Sequence, residues 1–317
     1  MGDHLVIYEF AIKFIFQWVS KFIFDCLLIN IFMSHSRRSF LRNTALAGMA
    51  MSVPFRNELL ALAPGKKQFG IQLWTVKEAL YRDTASVFKL IADSGFKQIE
   101  SFEGDKGIFW GMKNTEFKKT MDGYGMKMIS THCDIEKDFE RKAAQAAEIG
   151  MSYLICPHKG AQPSIDDFKR FADQFNKCGE ICKKNGIRFA YHNHDYSFKA
   201  MPGGIPQDVM MDLTDPHLVD FEMDIFWVTA AGVNPIDYFN KYPNRFTLCH
   251  VKDLTKTANG EVESCVIGKG TIDFKNILHA GAAKGLKYFF AEQESYTGSS
   301  ELGCTKDNGA AMSKMTW

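Results

Sequence analysis

The sequence predicts a single (β/α)8 TIM barrel, an α/β fold, on three observations. From Lys66 onward, apolar runs of strand length alternate with stretches of helical period, eight times over. Glycines close many of the helical stretches. Strands that alternate with helices pair in parallel through right-handed crossovers, and eight such units in roughly 250 residues match the count of a barrel. A doubly wound open sheet is the runner-up. It usually has fewer strands, and no G-x-G-x-x-G follows the first strand to support a nucleotide site.

The elements follow in order. KQFGIQLWTV (67–76) reads as strand one, and KEALYRDTASVFKLIADSG as one amphipathic helix ending at Gly95. FKQIESF (96–102) is strand two; a helix over EFKKTMDGYG leads to strand three, MKMISTHCD (126–134). The Ala-rich helix DFERKAAQAAEIG precedes strand four, MSYLICPH (151–158). The long helix IDDFKRFADQFNKCGEICKKNG stops at Gly186 before strand five, IRFAYHNH. A short helix leads to strand six, LVDFEMDIFW (218–227); PIDYFNKYPN is helical before strand seven, RFTLCHVKD (245–253). DFKNILHAGAAKG is a helix, LKYFFAEQE (286–294) is strand eight, and SSELGCTKDNGAAMSKM closes the fold as a helix.

Composition narrows the function. The 317 residues are 46% hydrophobic and 24% charged, with a net charge of +1, which argues against a general nucleic-acid binder and against an electrostatic membrane anchor. None of the eight cysteines forms a C-x-x-C pair, so free thiols are expected rather than bridges. The first 65 residues stand apart. Residues 5–32 are apolar but broken by Lys13, Lys21 and Asp25, a poor transmembrane helix. From Met33, the order Ser36-Arg37-Arg38-Ser39-Phe40-Leu41-Arg42 and the modest Ala, Leu, Gly and Met run after it resemble a twin-arginine export signal. The expected organisation is a mispredicted upstream extension (1–32), a signal and linker (33–65) and a catalytic barrel (66–317). The expected location is the periplasm, with no stable membrane insertion after processing. The alternative is a membrane anchor through the N-terminal apolar segment.

In a barrel the C-terminal ends of the strands form the active face. The polar residues there are Glu100, His132, His192, His194, Glu222, Asp224, His250, Lys252, Asp253, Glu292 and Glu294. A single histidine at a strand end is more often a hydrogen-bonded structural residue. The alignment of so many at one end points to a site. Two histidines and two carboxylates from adjacent strands make a mixed N/O shell suited to Mn, Zn, Co, Fe or Mg rather than to a thiolate metal. Residues two apart on a strand face the same way, so one of each pair sits at ligand height.

The segments GIQLWTV, CPHKGAQPSIDDFKRFADQFNKCGEICKKNGI, AYHNHDYSF, EMDIFW, HVKD, IGKGTIDF and FAEQE resemble the sugar phosphate isomerase/epimerase family, the xylose isomerase-like TIM barrels, from about Gly70 to the C-terminus. Exported bacterial members often carry a twin-arginine leader. The resemblance implies one divalent metal ion at the ends of strands five to eight, which falls on His192, Asp224, His250 and Glu292. The family often has Glu at the strand-five position. His192 there is a departure that argues against a symmetric two-carboxylate proton shuttle, and leaves Glu292, His192 or Glu294 as the base. His132 and His194 are assigned to substrate hydroxyls or to support of the ligands, Lys252 to an oxyanion or phosphate, and Glu100 and Trp74 to substrate, with Trp74, Phe226 and Trp227 as stacking platforms. Each has a plainer reading: a surface lysine beside Asp253, a strand-end ion pair for Glu100, packing for the aromatics. The KGT segment near Gly268 lacks the Walker spacing of a phosphate loop.

The expected function is a metal-dependent sugar isomerase or epimerase acting through a metal-stabilised enediolate on a small carbohydrate, free, oxidised or glycosidic. A keto-sugar lyase or dehydratase on the same site is the alternative, somewhat favoured by the loss of the strand-five Glu. A non-catalytic sugar-binding protein ranks third. An abasic-site endonuclease needs a multi-metal cluster and a basic groove, and the sequence supplies neither.

Overall fold

Eight parallel strands close into a barrel in the computed structural model, which describes residues 68–316. In chain order the strands are β1 (Gly70–Gln72), β2 (Gln98–Phe102), β3 (Lys127–His132), β4 (Tyr153–Cys156), β5 (Arg188–His192), β6 (Val219–Asp224), β7 (Phe246–Val251), β8 (Asp253–Lys256), β9 (Val262–Cys265) and β10 (Tyr288–Ala291). Neighbours around the barrel run β1-β10-β7-β6-β5-β4-β3-β2, while β8 and β9 pair antiparallel as a separate hairpin. Closure depends on Gly70, which pairs with both Phe290 and Gln98. A Cβ there would lie 2.4 Å from the Phe290 ring and 2.9 Å from the Gln98 carbonyl oxygen, so only glycine lets the strands meet.

The apolar strand residues divide into two layers. Ile129, Tyr153, Ile155, Ala190, Leu248 and Phe290 form a buried cluster of strand residues. A larger cluster packs the strands against the helices, with Phe88, Phe117, Phe168, Phe175 and Phe239 among its fully buried side chains. Towards the start of the strands, Asp220 accepts from the Tyr153 hydroxyl at 3.0 Å and pairs with Arg188, so the charge buried there is matched.

Several boundaries and one element differ from expectation. The helix expected over 77–95 is two, α1 (Lys77–Arg82) and α2 (Thr84–Asp93). Asp83 leaves the helical region at φ −152 and its carboxylate caps α2 by accepting from Ser86 N. Strand six stops at Asp224 instead of Trp227, because that carboxylate accepts from Trp227 N and starts a helix over Ile225–Ala230. The β8–β9 hairpin was not foreseen. The cysteines among the described residues are unbridged, as expected.

The expected location is corrected. Among the described residues no helix is long and apolar enough to cross a membrane, and no export signal is shown. Residues 5–32, the start at Met33 and the paired arginines lie outside the described residues.

Candidate active site

The barrel mouth is built by alternation. His192 stands two residues beyond Ala190, His250 two beyond Leu248 and Glu292 two beyond Phe290, so each follows a residue of the smaller apolar cluster onto the same face. Register sets His192 beside Glu222, and Asp224 beside His250. The ladder slips at Ile99/Glu100 against β3 and at Phe221/Glu222 against β7. A buried carboxylate stands immediately past each slip, where an irregularity re-aims a side chain.

These side chains form one buried network. Glu222 Oε2 lies 2.8 Å from His132 Nε2, 3.2 Å from His192 Nδ1 and 3.3 Å from His250 Nε2. His250 Nε2 bonds Glu100 Oε1 at 2.6 Å, and its Nδ1 lies 3.0 Å from Glu292 Oε2. Glu100 also accepts from Gln72 at 2.8 Å and from Ser130 at 2.6 Å. Lys252, itself buried, reaches Glu292 and Glu294 at 3.2 Å each and Asp224 at 3.6 Å, with Phe226 and Trp227 each 5.1 Å away under its ammonium.

Charge states follow from these distances. Burial pushes Glu222 up, but the charge of His250 and hydrogen bonds from the three histidines outweigh it and hold it well below the usual carboxylate range. Burial likewise opposes Glu292, and Lys252 and His250 hold it well below. Glu100 is pushed up by burial and by the like charge of Glu222. Burial disfavours charge on His250, yet Glu222 and Glu292 raise it well above the ordinary histidine value. His132 is raised too, burial being outweighed by Glu100 and Glu222. His192, buried beside His250, drops to about 4. His194 drops to about 2 through burial and its neighbour His192. Glu294, further out, is raised by burial and the charge of Glu292.

Two groups of candidate donors share His250: His132, His192, Glu222 and His250, and Asp224, His250 and Glu292, each with its donor atoms within 4.8 Å of one another. The chemistry fits a divalent cation. Asp224 Oδ2 is buried and accepts no hydrogen bond, and Glu222 Oε1 is in the same state. An unsatisfied buried carboxylate oxygen is costly unless a ligand takes it up.

Above the network opens a cavity of about 430 Å³ lined by Trp74, Phe102, Glu103, His132, Cys133, Asp134, Pro157, His158, His192, His194, Glu292 and Glu294. Of the residues singled out from sequence, Trp74, His132, His192, His194, Glu292 and Glu294 reach it. Asp224 and His250 lie fully buried and do not line it. Two assignments to substrate do not fit. Lys252 is enclosed by three carboxylates, and Glu100 is fully buried among Gln72, Ser130 and His250, so neither lines the cavity. His192 is brought together with Glu222 and His132, and lies 3.8 Å from Asp224. The KGT segment binds no external anion through its backbone: Gly268 N, Gly270 N and Ile272 N all donate to Asp253.

Sequence reasoning named Glu222 at a strand end but gave it no role. The signal was present, since Asp224 and Glu222 share a face. Glu103, Asp134 and His158 were missed as cavity residues. They lie just past strand ends, where barrel loops build the active face.

Residues 88–311 match the family described as xylose isomerase-like TIM barrel. The chain belongs to that family. An inosose dehydratase of Clostridium perfringens is 30% identical over 127 residues, 36% of this chain and 42% of that protein, so the match spans less than half the relative's length. A sugar phosphate isomerase/epimerase from Parabacteroides distasonis superposes with a TM-score of 0.68 at 26% identity, covering 80% of this chain and 95% of that one. A probable 3-DHS dehydratase from Bacillus anthracis superposes with a TM-score of 0.62 at 12% identity, covering 78% of this chain and 100% of that one; at that identity the likeness is of fold alone. The family match places the chain in an enzyme superfamily.

Proposed function

We propose that this member of the family is a metal-dependent lyase that removes the proton α to the carbonyl of a keto-sugar or cyclitol ketone and expels the β-hydroxyl as water. The observation that carries this is the asymmetry of the cavity at ligand depth. β10 leads into Glu292 and Glu294, while β5 ends in His192, whose imidazole burial keeps neutral. Epimerisation through two opposed carboxylates is poorly served by that arrangement, whereas elimination needs one base and one acid.

Asp224, His250 and Glu292 are the residues that would hold the ion, with His192 beside Asp224 as a further donor. A divalent cation held there would supply Lewis acidity to the ketone oxygen. Glu294 is the proposed base. It lies at the cavity edge, its carboxyl raised above the ordinary value by burial and the charge of Glu292, and its backbone N–H is fixed by Ser264 Oγ at 2.8 Å. As the α-proton passes to Glu294, the α,β double bond forms and the β C–O bond breaks. His132, facing the cavity with its charged form favoured by Glu100 and Glu222, gives the proton with which the hydroxyl leaves as water.

The relatives named inosose dehydratase support elimination. The Parabacteroides structures named isomerase/epimerase support a second reading, in which the same abstraction ends in reprotonation. Incubating the full chain, loaded with each divalent metal, with keto-hexoses and cyclitol ketones in deuterium oxide separates the two by NMR. Loss of water with formation of an enone supports the lyase. Deuterium at the α-carbon without loss of water moves the assignment to the isomerase. Neither process with any ketone removes both. Glu294→Gln is expected to lower turnover by about 100-fold or more, the usual worth of a positioned base.

A further inference from the structure

The charged groups that line the cavity, histidines aside, are all carboxylates: Glu103, Asp134, Glu292 and Glu294. Among the described residues no lysine or arginine lines it. The cations nearby are engaged elsewhere. Lys252 lies behind the wall against Asp224, Glu292 and Glu294. Lys142, 4% exposed, bonds Glu103 at 2.6 Å and the Asp134 carbonyl at 2.8 Å. Lys159 pairs with Glu136 at 2.9 Å, and Lys77 sits 3.9 Å from the centre of the Trp74 ring. The remaining wall is apolar. Trp74, 38% exposed, meets Phe102 edge-on at 4.9 Å, and Pro157 and Cys133 line the same space.

A phosphoryl or carboxylate group is bound where Arg, Lys or clustered backbone N–H groups converge on it. The N–H cluster of residues 268–272 is closed to such a group because Asp253 occupies it. Carboxylates on a cleft wall disfavour ligands of their own sign, and the His132 imidazole does not offset them because Glu222 at 2.8 Å and Glu100 at 3.4 Å already meet its charge.

From this lining we infer that the cavity takes an uncharged sugar or cyclitol, without phosphate or carboxylate, with an apolar face laid against Trp74. The inference rests on the reading of the chain as a carbohydrate enzyme and narrows its substrate class, setting it apart from the sugar phosphates that the names of its structural neighbours suggest.

The test compares matched ligands that differ only in charge, on metal-loaded full chain, by calorimetry: methyl glucoside against its 6-phosphate, and myo-inositol against its monophosphate. The neutral member of each pair is expected to bind about tenfold tighter or more at low salt, with the gap shrinking as salt screens the carboxylates. Asp134→Asn, which can keep the 2.8 Å bond from Glu136 N–H, is expected to narrow the gap two- to threefold. Trp74→Ala is expected to weaken the neutral ligands about five- to tenfold while leaving the ratio within each pair unchanged. Equal or tighter binding of the phosphorylated members overturns the inference and leaves the carbohydrate reading standing. Binding of neither member of either pair overturns both.

Discussion

Two aspartates, one ending β6 and one opening the β8–β9 hairpin, are equally buried and differently treated. Asp253 opens the hairpin beyond β7, and four backbone N–H groups satisfy it: Leu254 at 2.8 Å and Ile272 at 3.2 Å on Oδ1, Gly268 at 2.8 Å and Gly270 at 3.0 Å on Oδ2. Asp224 ends β6, and only Oδ1 is satisfied, by Trp227 N at 3.1 Å. Its Oδ2 accepts nothing, with Lys252 at 3.6 Å, His250 at 3.7 Å and His192 at 3.8 Å. A carboxylate with all its acceptor sites filled by backbone ties a loop. One held by a single oxygen, with the other turned to imidazoles and an ammonium, is prepared for a ligand. The cost of the unfilled oxygen, roughly 1–3 kcal/mol, is borne by the folded state until a ligand arrives.

The largest effect expected from this contrast is on stability. Asp253→Ala leaves four N–H groups without their acceptor and is expected to cost about 3–5 kcal/mol in urea unfolding of the metal-free chain. A loss under about 1 kcal/mol would show that the tie is not structural. Asp224→Asn keeps an oxygen for Trp227 N, so the metal-free stability is expected to change by less than about 1 kcal/mol. What disappears is the metal increment, worth about 2.7 kcal/mol for the native chain at a hundredfold excess over the dissociation constant. An Asn variant that keeps the increment removes Asp224 from the ligands.

The shared His250 sharpens the contrast next. His250→Ala breaks both groups of donors and is expected to abolish metal binding. His192→Ala breaks only the group with His132 and Glu222, and is expected to weaken binding about tenfold or less if Asp224, His250 and Glu292 hold the ion. Elemental analysis of both variants after gel filtration decides it. Equal loss in the two places His192 among the ligands.

The barrel and most of its mouth were legible in the sequence, because alternating periods, glycine stops and polar strand ends are local signals. What escaped was set by long-range geometry. Glu222 and Glu100 sit just past register slips, and a uniform alternation gives no sign of where a ladder slips. The enclosure of Lys252 needs Asp224, Glu292 and Glu294 brought together from two other strands. The hairpin was invisible because Asp253 reads as one more polar strand end, while its partners lie 15 to 19 residues further on. The same distance hid why the KGT segment is no phosphate loop.

The smallest effect is on pH dependence, and its sign tests whether protons on the His250 cluster compete with a divalent ion. His250 and His132 have folded values above the ordinary 6.5. Their stabilisation of the metal-free chain is therefore fully present below pH 6.5 and is lost as pH rises through the folded values. Glu100, raised by burial, acts with the same sign. Above about pH 7.5, one unit past the unfolded histidine value, His192 and His194 are neutral whether folded or unfolded, so they drop out of the slope. Between about pH 7.5 and 8, below the ordinary cysteine range, the melting temperature of the metal-free chain is expected to fall by a few degrees. A divalent ion competes with those same protons, so the increment it adds should widen over the same interval. The two slopes are opposite and arise from one set of side chains. Melting curves with and without metal, taken in parallel, check both. A metal increment that stays constant with pH would mean that the ion displaces no proton from His250, and would move its site away from this cluster.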